Sequence, residues 1–233
     1  MPEHTVSSYD EELTAIAGRI AEMGGIAESA ISNAVSALVT QDLELARETI
    51  QQDGRLDELW SEIEVKLVEI IARRQPLGAD LREIMAAGRI SNDLERVGDL
   101  AKNVAKRVIA IDSDLKSKQL AIGVEHITEL ALAQLKNVLD AYTSKDAEAA
   151  RKVRDGDEEV DTMYTSLFRE LLTYMMEDPR NITQCAHLLF CAKNIERIGD
   201  HATNIAENVY YMVTGERLSD NRPKVDETGV ALM

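Results

Sequence analysis

The chain is poor in residues that break helices or favour sheets: aromatics make up 4% of it, and proline occurs four times in 233 residues. That scarcity argues against a β-sandwich or barrel and for long helices packed through aliphatic side chains and alanine. Positive charge is short as well. Lys and Arg number 26 against 42 Asp and Glu, a formal net charge of −16. Nucleic-acid binding depends on basic side chains neutralising phosphates, so no nucleic-acid partner is expected, and an anionic lipid surface would repel the chain. An acidic surface suits cations, basic patches on partners and solubility. Cysteine is limited to Cys185 and Cys191. They sit six apart in one expected helix and on different faces, so they make no disulfide framework and point to a reducing compartment. The apolar runs fall well short of the roughly 20 residues a membrane-spanning helix needs. The opening MPEHTVSSYDEEL lacks the basic region and apolar stretch of a signal peptide. A cytoplasmic protein without membrane insertion is the expectation. Chemistry-bearing patterns are missing too. There is no Glu-x-x-His, no nucleophile elbow and no phosphate-cradling glycine loop, and His4, His126, His187 and His201 show no ligand spacing. His187 and the single Trp60 read as core residues on apolar faces. No catalytic residue and no organic cofactor is expected, and the chain reads as a non-enzyme.

What is present is helical periodicity almost throughout, predicting helices near 7–39, 43–74, 80–111, 115–143, 147–176 and 180–213. TQDLE at 40–44 and SKDAE at 144–148 each place an Asp at an N-cap with a Glu in the first turn. RRQPLGAD at 73–80 and MEDPRN at 176–181 each contain a proline that interrupts the pattern. The segment DLERVGDLAKNVA, 93–105, recurs as NIERIGDHATNIA, 194–206, with seven of thirteen positions identical. The repeat extends further. Asp42, Asp53 and Asp57 align with Asp146, Asp157 and Asp161 at an offset of 104, and Glu95 and Asp99 with Glu196 and Asp200 at an offset of 101. The three-residue change falls in a proline-containing loop, where length changes belong. The expected fold is therefore all-α: two tandem, similar, antiparallel three-helix bundles. The first covers 1–112, the second 113–215, and 216–233 forms a polar, aperiodic tail.

Leu94, Val97, Ala101, Val104 and Val108, like Ile195, Ile198, Ala202, Ile205 and Val209, form a heptad-like seam toward the core. Glu95, Asp99 and Asn103, and their counterparts Glu196, Asp200 and Asn204, fall four apart on a stripe roughly opposite that seam, which predicts hydrated carboxylates on the outside. Asp53 with Asp57, and Asp157 with Asp161, lie beside the apolar face of the preceding helix. Two readings stand. The stripes are solvated helix faces on which Arg96 and Arg197 bridge to Asp99 and Asp200. Alternatively, each half holds a cation between two antiparallel helices with four carboxylates and an Asn oxygen, a donor set suited to Mg, Mn, Ca or iron. Gly98 and Gly199 either let another element approach closely or are merely tolerated in the helix.

The paired E-R-(V/I)-G-D segments, each followed by A-x-N-(V/I)-A and preceded by a D-x-x-x-D helix, resemble the PhoU family over about residues 7–213. The resemblance implies two similar three-helix bundles with surface metal clusters held by Asp53, Asp57, Glu95 and Asp99, and by Asp157, Asp161, Glu196 and Asp200. Asn103 and Asn204 match one turn further on. It implies divalent or trivalent metal ions (iron, zinc, manganese or magnesium). The implied role is a regulatory adaptor that represses the phosphate-starvation response and phosphate uptake when phosphate is plentiful. The implied partners are the ATPase subunit of the phosphate ABC transporter and a phosphate-sensing histidine kinase. A homodimer and peripheral attachment at the inner membrane through protein partners are further expectations. Position 100 departs between the copies, Leu100 against His201, which opens the question of whether the two clusters are equivalent. The competing reading is a metal-binding helical scaffold or metal-dependent hydrolase unrelated to phosphate signalling.

Overall fold

The structure is a computed structural model that describes residues 7–111 and 118–218. Among the described residues seven α-helices follow one another: α1 (Ser7–Thr40), α2 (Leu43–Arg74), α3 (Ala79–Ala110), α4 (Lys118–Ser144), α5 (Ala147–Asp155), α6 (Glu158–Glu177) and α7 (Ile182–Thr214). A 3-10 turn, Pro179–Asn181, precedes α7. No strand occurs among the described residues. Helices α1–α3 form one antiparallel bundle; α4, the α5–α6 pair and α7 form the other.

The two α–α turns are built alike. Gln41 and Lys145 adopt left-handed backbone, with φ of 59° and 53°. The next amide reaches back to close the helix, Asp42 N to Ala37 O and Asp146 N to Ala141 O, both 3.0 Å. The same aspartates then cap the following helix. Asp42 Oδ1 accepts from the Glu44 and Leu45 amides at 3.0 Å each, and Asp146 Oδ1 from Glu148 and Ala149 at 2.9 and 3.0 Å. The aspartates read as caps from sequence are thus the hinges of both hairpins. At the proline loops, Gln75 closes α2 in left-handed conformation just before Pro76, and Asp178 caps the turn that Pro179 opens.

One apolar core runs through both bundles. The two seams are buried along their whole length, Ile195, Ile198, Ala202, Ile205 and Val209 completely so. The bundles lie side by side, α3 against α7 and α1 against α4. That junction carries polar links: Lys145 Nζ donates to both carboxylate oxygens of Glu83 at 2.7 Å, and the Arg107 guanidinium lies 3.7 Å over the Phe190 ring. Trp60 is half-buried against the core. His187 is only half-buried, so its core reading does not hold.

The helix expected over 147–176 is interrupted. Gly156 and Asp157 form a turn between α5 and α6, and the Gln134 side-chain amide of α4 donates to the Gly156 carbonyl at 3.2 Å. In the first half α2 runs unbroken through the matching positions. The expected tail falls almost entirely outside the described residues, as does most of the expected break at 111–114.

Candidate cation sites between the second and third helices

The repeated carboxylates gather where the second helix of each bundle lies against the third, but they are not fully hydrated. Asp53, Asp157, Asp161 and Glu196 are buried, exposed by only 5–8%. Glu95, Asp99 and Asp200 are half-buried, and Asp57 is exposed. A single stripe opposite the seam is fully solvated only on a helix with one buried face. Each packs against helices of its own bundle and of the other, so neither keeps a fully solvated side.

In the first half the carboxylates surround an ammonium. Lys102 Nζ, one turn beyond Asp99, donates to Asp53 Oδ2 across the α2–α3 boundary and to Asp99 Oδ1 at 3.3 Å. Its hydrogen bond to Asp53 raises the lysine pKa against the opposing effect of burial. Arg96 also approaches Glu95 at 3.4 Å and Asp99 at 3.8 Å, but it is more than half exposed, so these contacts contribute little. Burial, and next the Asp53 charge, push the Asp57 carboxyl up. Burial also raises Glu95; Arg96 opposes this, and Asp99, Asp57 and Asp53 add to it. Asp57 and Glu95 thus both feel the charges of Asp53 and Asp99.

The second half has a different interior. Thr203 stands at the position of Lys102, and its hydroxyl donates to Asp157 Oδ1 at 3.0 Å. A lysine serves this half from the rim: Lys193 Nζ donates to Glu196 Oε1 at 2.7 Å and lies 5.0 Å from the Tyr164 ring centre. The other oxygen, Glu196 Oε2, is buried and makes no hydrogen bond, and Gln134 Oε1 is in the same condition. Burial raises the Glu196 pKa; the Lys193 hydrogen bond opposes this, and Asp200 and Asp161 add to it.

Gly98 and Gly199 both prove to be points of close approach. A methyl group on Gly98 would stand 2.3 Å from Leu56 Cδ1, and one on Gly199 would stand 3.1 Å from Gln134 Oε1. His201 does not join the second cluster: its Nδ1 lies 2.9 Å from Asp93 Oδ1 at the junction of the two bundles. Asn204 lines a cleft of about 540 Å³ between α3 and α7, together with Arg89, Asp93 and Asn208. Asn103 is half-buried on the matching turn. Lys102, Thr203 and Gln134 were not picked out from the sequence. The first two occupy the variable place in A-x-N, where the two copies disagree, and that disagreement was the available signal.

Among the described residues no three carboxylate, imidazole or thiolate side chains converge closely enough to hold one ion between them. What the site offers is hard oxygen in a partly desolvated setting, with buried acceptors left unbonded. Oxygen donors of this kind are the ones hard cations take.

Fold and site together define a tandem three-helix repeat protein with an acidic boundary in each repeat. The PhoU domain family matches residues 20–108 and again 124–209, and the chain belongs to that family. A protein of Rhizobium meliloti (strain 1021) called phosphate-specific transport system accessory protein PhoU homolog is 59% identical over 97% of this chain and 95% of its own length. A Caulobacter vibrioides protein of the same description is 50% identical over 97% of this chain and 98% of its own. The crystal structure of PhoU from Pseudomonas aeruginosa superposes with a TM-score of 0.85 at 38% identity, covering 89% of this chain and all of that one. The phosphate transport system regulatory protein PhoU from Streptococcus pneumoniae superposes with a TM-score of 0.83 at 27% identity, over 91% and 99%.

Proposed function

We propose that this protein is an accessory, non-enzymatic adaptor of phosphate transport, repressing phosphate uptake and the phosphate-starvation response when phosphate is plentiful. The observation that carries the reading is the match over nearly the whole chain to proteins described as accessory to the phosphate-specific transport system. The adaptor works from the cytoplasmic side. It contacts the ATPase subunit of the transporter and a phosphate-sensing histidine kinase, and its attachment to the membrane comes through those partners. No helix among the described residues is long and apolar enough to cross a membrane, which is consistent with that arrangement. Self-association as a homodimer belongs to the same reading, and sedimentation of the purified chain checks it.

The acidic sites bind metal ions in this reading. Support comes from the desolvated carboxylates Glu95 and Glu196, whose pKa values are raised by burial, and from the unbonded oxygens of Gln134 and Glu196. A cation there would bridge the second and third helices of a bundle and would make the spacing of those helices depend on ion occupancy.

The experiment is a clean chromosomal deletion. In phosphate-rich medium the deleted strain is expected to express secreted phosphatase and to take up phosphate as a starved strain does, with complementation restoring repression. Unchanged phosphatase and uptake would overturn the reading. A metal-dependent hydrolase is the alternative that the same carboxylates could serve. Phosphate-ester turnover by the metal-loaded protein, lost in Asp99→Ala, would favour it.

A further inference from the structure

We propose that the cleft between α3 and α7 is an anion site, which holds the phosphoryl group of a small molecule between Arg89 of one bundle and Arg217 at the end of the other. The acidic boundaries take no part in it.

The helices α3 and α7 meet antiparallel at this junction, in three rungs. The Arg82 guanidinium packs at Gly215, where a Cβ would stand 3.3 Å from its Cζ. Arg89 Nη1 donates to Asn208 Oδ1 at 3.4 Å, and His201 Nδ1 lies 2.9 Å from Asp93 Oδ1. Arg82 and Arg89 are two turns apart on α3 and so share one face. Beside these rungs lies the cleft of about 540 Å³, a volume in the range of small-molecule pockets. Gly215 ends α7 with a φ of 79°, and Arg217, two residues on, joins the wall of the cleft.

The chain carries 42 acidic residues against 26 basic ones, and Arg55, Arg74 and Arg151 each have a carboxylate within 3.1 Å. In the cleft the matching is reversed. Its two carboxylates are faced, Asp93 by His201 and Glu207 by Arg154 at 3.8 Å. Among the described residues neither Arg89 nor Arg217 has a carboxylate within ion-pair distance. Asn92, Asn204 and Tyr211 stand on the same wall, and their side chains make no hydrogen bond among the described residues. At the end of the junction the Arg82 Nε–H is buried without an acceptor. Guanidinium, amide and hydroxyl donors left over in a concave site are the complement of an oxyanion, and a planar guanidinium takes a phosphoryl group through paired N–H···O bonds. A net charge of −16 keeps nucleic acid away, which leaves small molecules. Inorganic phosphate and a phosphate ester or anhydride share the chemistry that the cleft recognises.

The test is equilibrium dialysis of the full chain with inorganic phosphate, pyrophosphate and ATP as probes. Chelator is present throughout, so that no metal ion at the acidic boundaries takes up phosphate. Saturable binding of at least one probe, at one site per chain, is expected. Arg89→Gln and Arg217→Gln should each weaken it about tenfold or more, the worth of one charge-assisted hydrogen bond. Arg217 lies outside any helix, so its variant carries the test if Arg89→Gln disturbs the junction, which melting without ligand would reveal. Arg19→Gln, which removes a partner of Glu22 and Glu62 on α1 and α2, should bind as the parent does. Tyr211→Leu separates the sources. Weakened ATP binding with inorganic phosphate unaffected supports the site with a nucleotide as its ligand, and equal binding of both probes, unaffected by the change, supports it with phosphate itself. No saturable binding of any probe at millimolar concentration would overturn the proposal. So would unchanged affinity in Arg217→Gln, or an equal loss in Arg19→Gln, since the arginines would then be only solvated charges.

Discussion

Replacing Lys102 by Met removes the ammonium while keeping much of its aliphatic stem. Asp53 is exposed by only 7% and loses its cross-helix partner; Asp99, more than a third exposed, can recover water. Breaking a fully buried pair from one side costs about 3–5 kcal/mol. Here the lysine is a quarter exposed, so water reaches the site once the ammonium is gone and the cost falls to about 2–3 kcal/mol. For a chain of this size that corresponds to about 5–10 °C in melting temperature. The assay is thermal and urea unfolding in the presence of chelator, so that no metal compensates. A cycle with Asp53→Asn isolates the pair. The double variant should lose less than the sum of the single ones, by about 1–2 kcal/mol, since each single change leaves the other group unmatched. A melting change within about 1 °C for Lys102→Met, or strict additivity in the cycle, would refute the claim that this ammonium neutralises the first site.

Three further outcomes follow from the same geometry. Gly98→Ala gains about 1 kcal/mol of helix propensity but drives a methyl group to 2.3 Å from Leu56 Cδ1, which is fully buried; overpacking costs about 1–3 kcal/mol, so a net loss near 1 kcal/mol is expected in urea melts, whereas the methyl of Gly199→Ala stands 3.1 Å from Gln134 Oε1 and 3.4 Å from Val160 Cγ1, contacts a small shift relieves, and should be close to neutral. Glu196, its pKa raised mainly by burial, binds more protons folded than unfolded in the window above its ordinary value of 4.5, so its ionisation subtracts stability as pH rises through the folded value. In chelator, Glu196→Gln should therefore melt above the parent at about pH 7, with the difference shrinking toward about pH 5; a constant difference would contradict this. Cys191 is fully buried, and that burial pushes its thiol up to about 12. Neither it nor the buried Cys185 should react with a thiol reagent until the chain unfolds, and labelling of the native protein at the rate of an exposed thiol would count against the packing.

The helices were legible because each carries its own punctuation: Asp42 and Asp146 as caps, Pro76 and Pro179 as stops, and seams whose aliphatic spacing is regular over several turns. Duplication made the architecture readable, since short loops between matched helices force antiparallel bundles. The exposure of the carboxylates was not legible. Periodicity on α3 and α7 reports one buried face, while the packing of each against helices of both bundles follows from how the bundles dock. The break at Gly156 was missed for a related reason. Glycine alone does not end a helix, as Gly54 in the middle of α2 demonstrates; at Gly156 the carbonyl has a side-chain partner in Gln134, twenty-two residues earlier in the chain. His201 illustrates the same limit. Its difference from Leu100 was visible, but its contact with Asp93 spans 108 residues, and only the docked bundles bring the two together.

The central claim is that the repeated acidic boundary binds metal, and does not simply form a hydrated helix face. Elemental analysis of the full chain purified without chelator, alongside Glu196→Gln and Asp161→Asn prepared identically, tests it most directly. Metal retained through size-exclusion chromatography in the parent and lost in both variants is the predicted result. A parent free of metal, or metal content unchanged by either substitution, would contradict it.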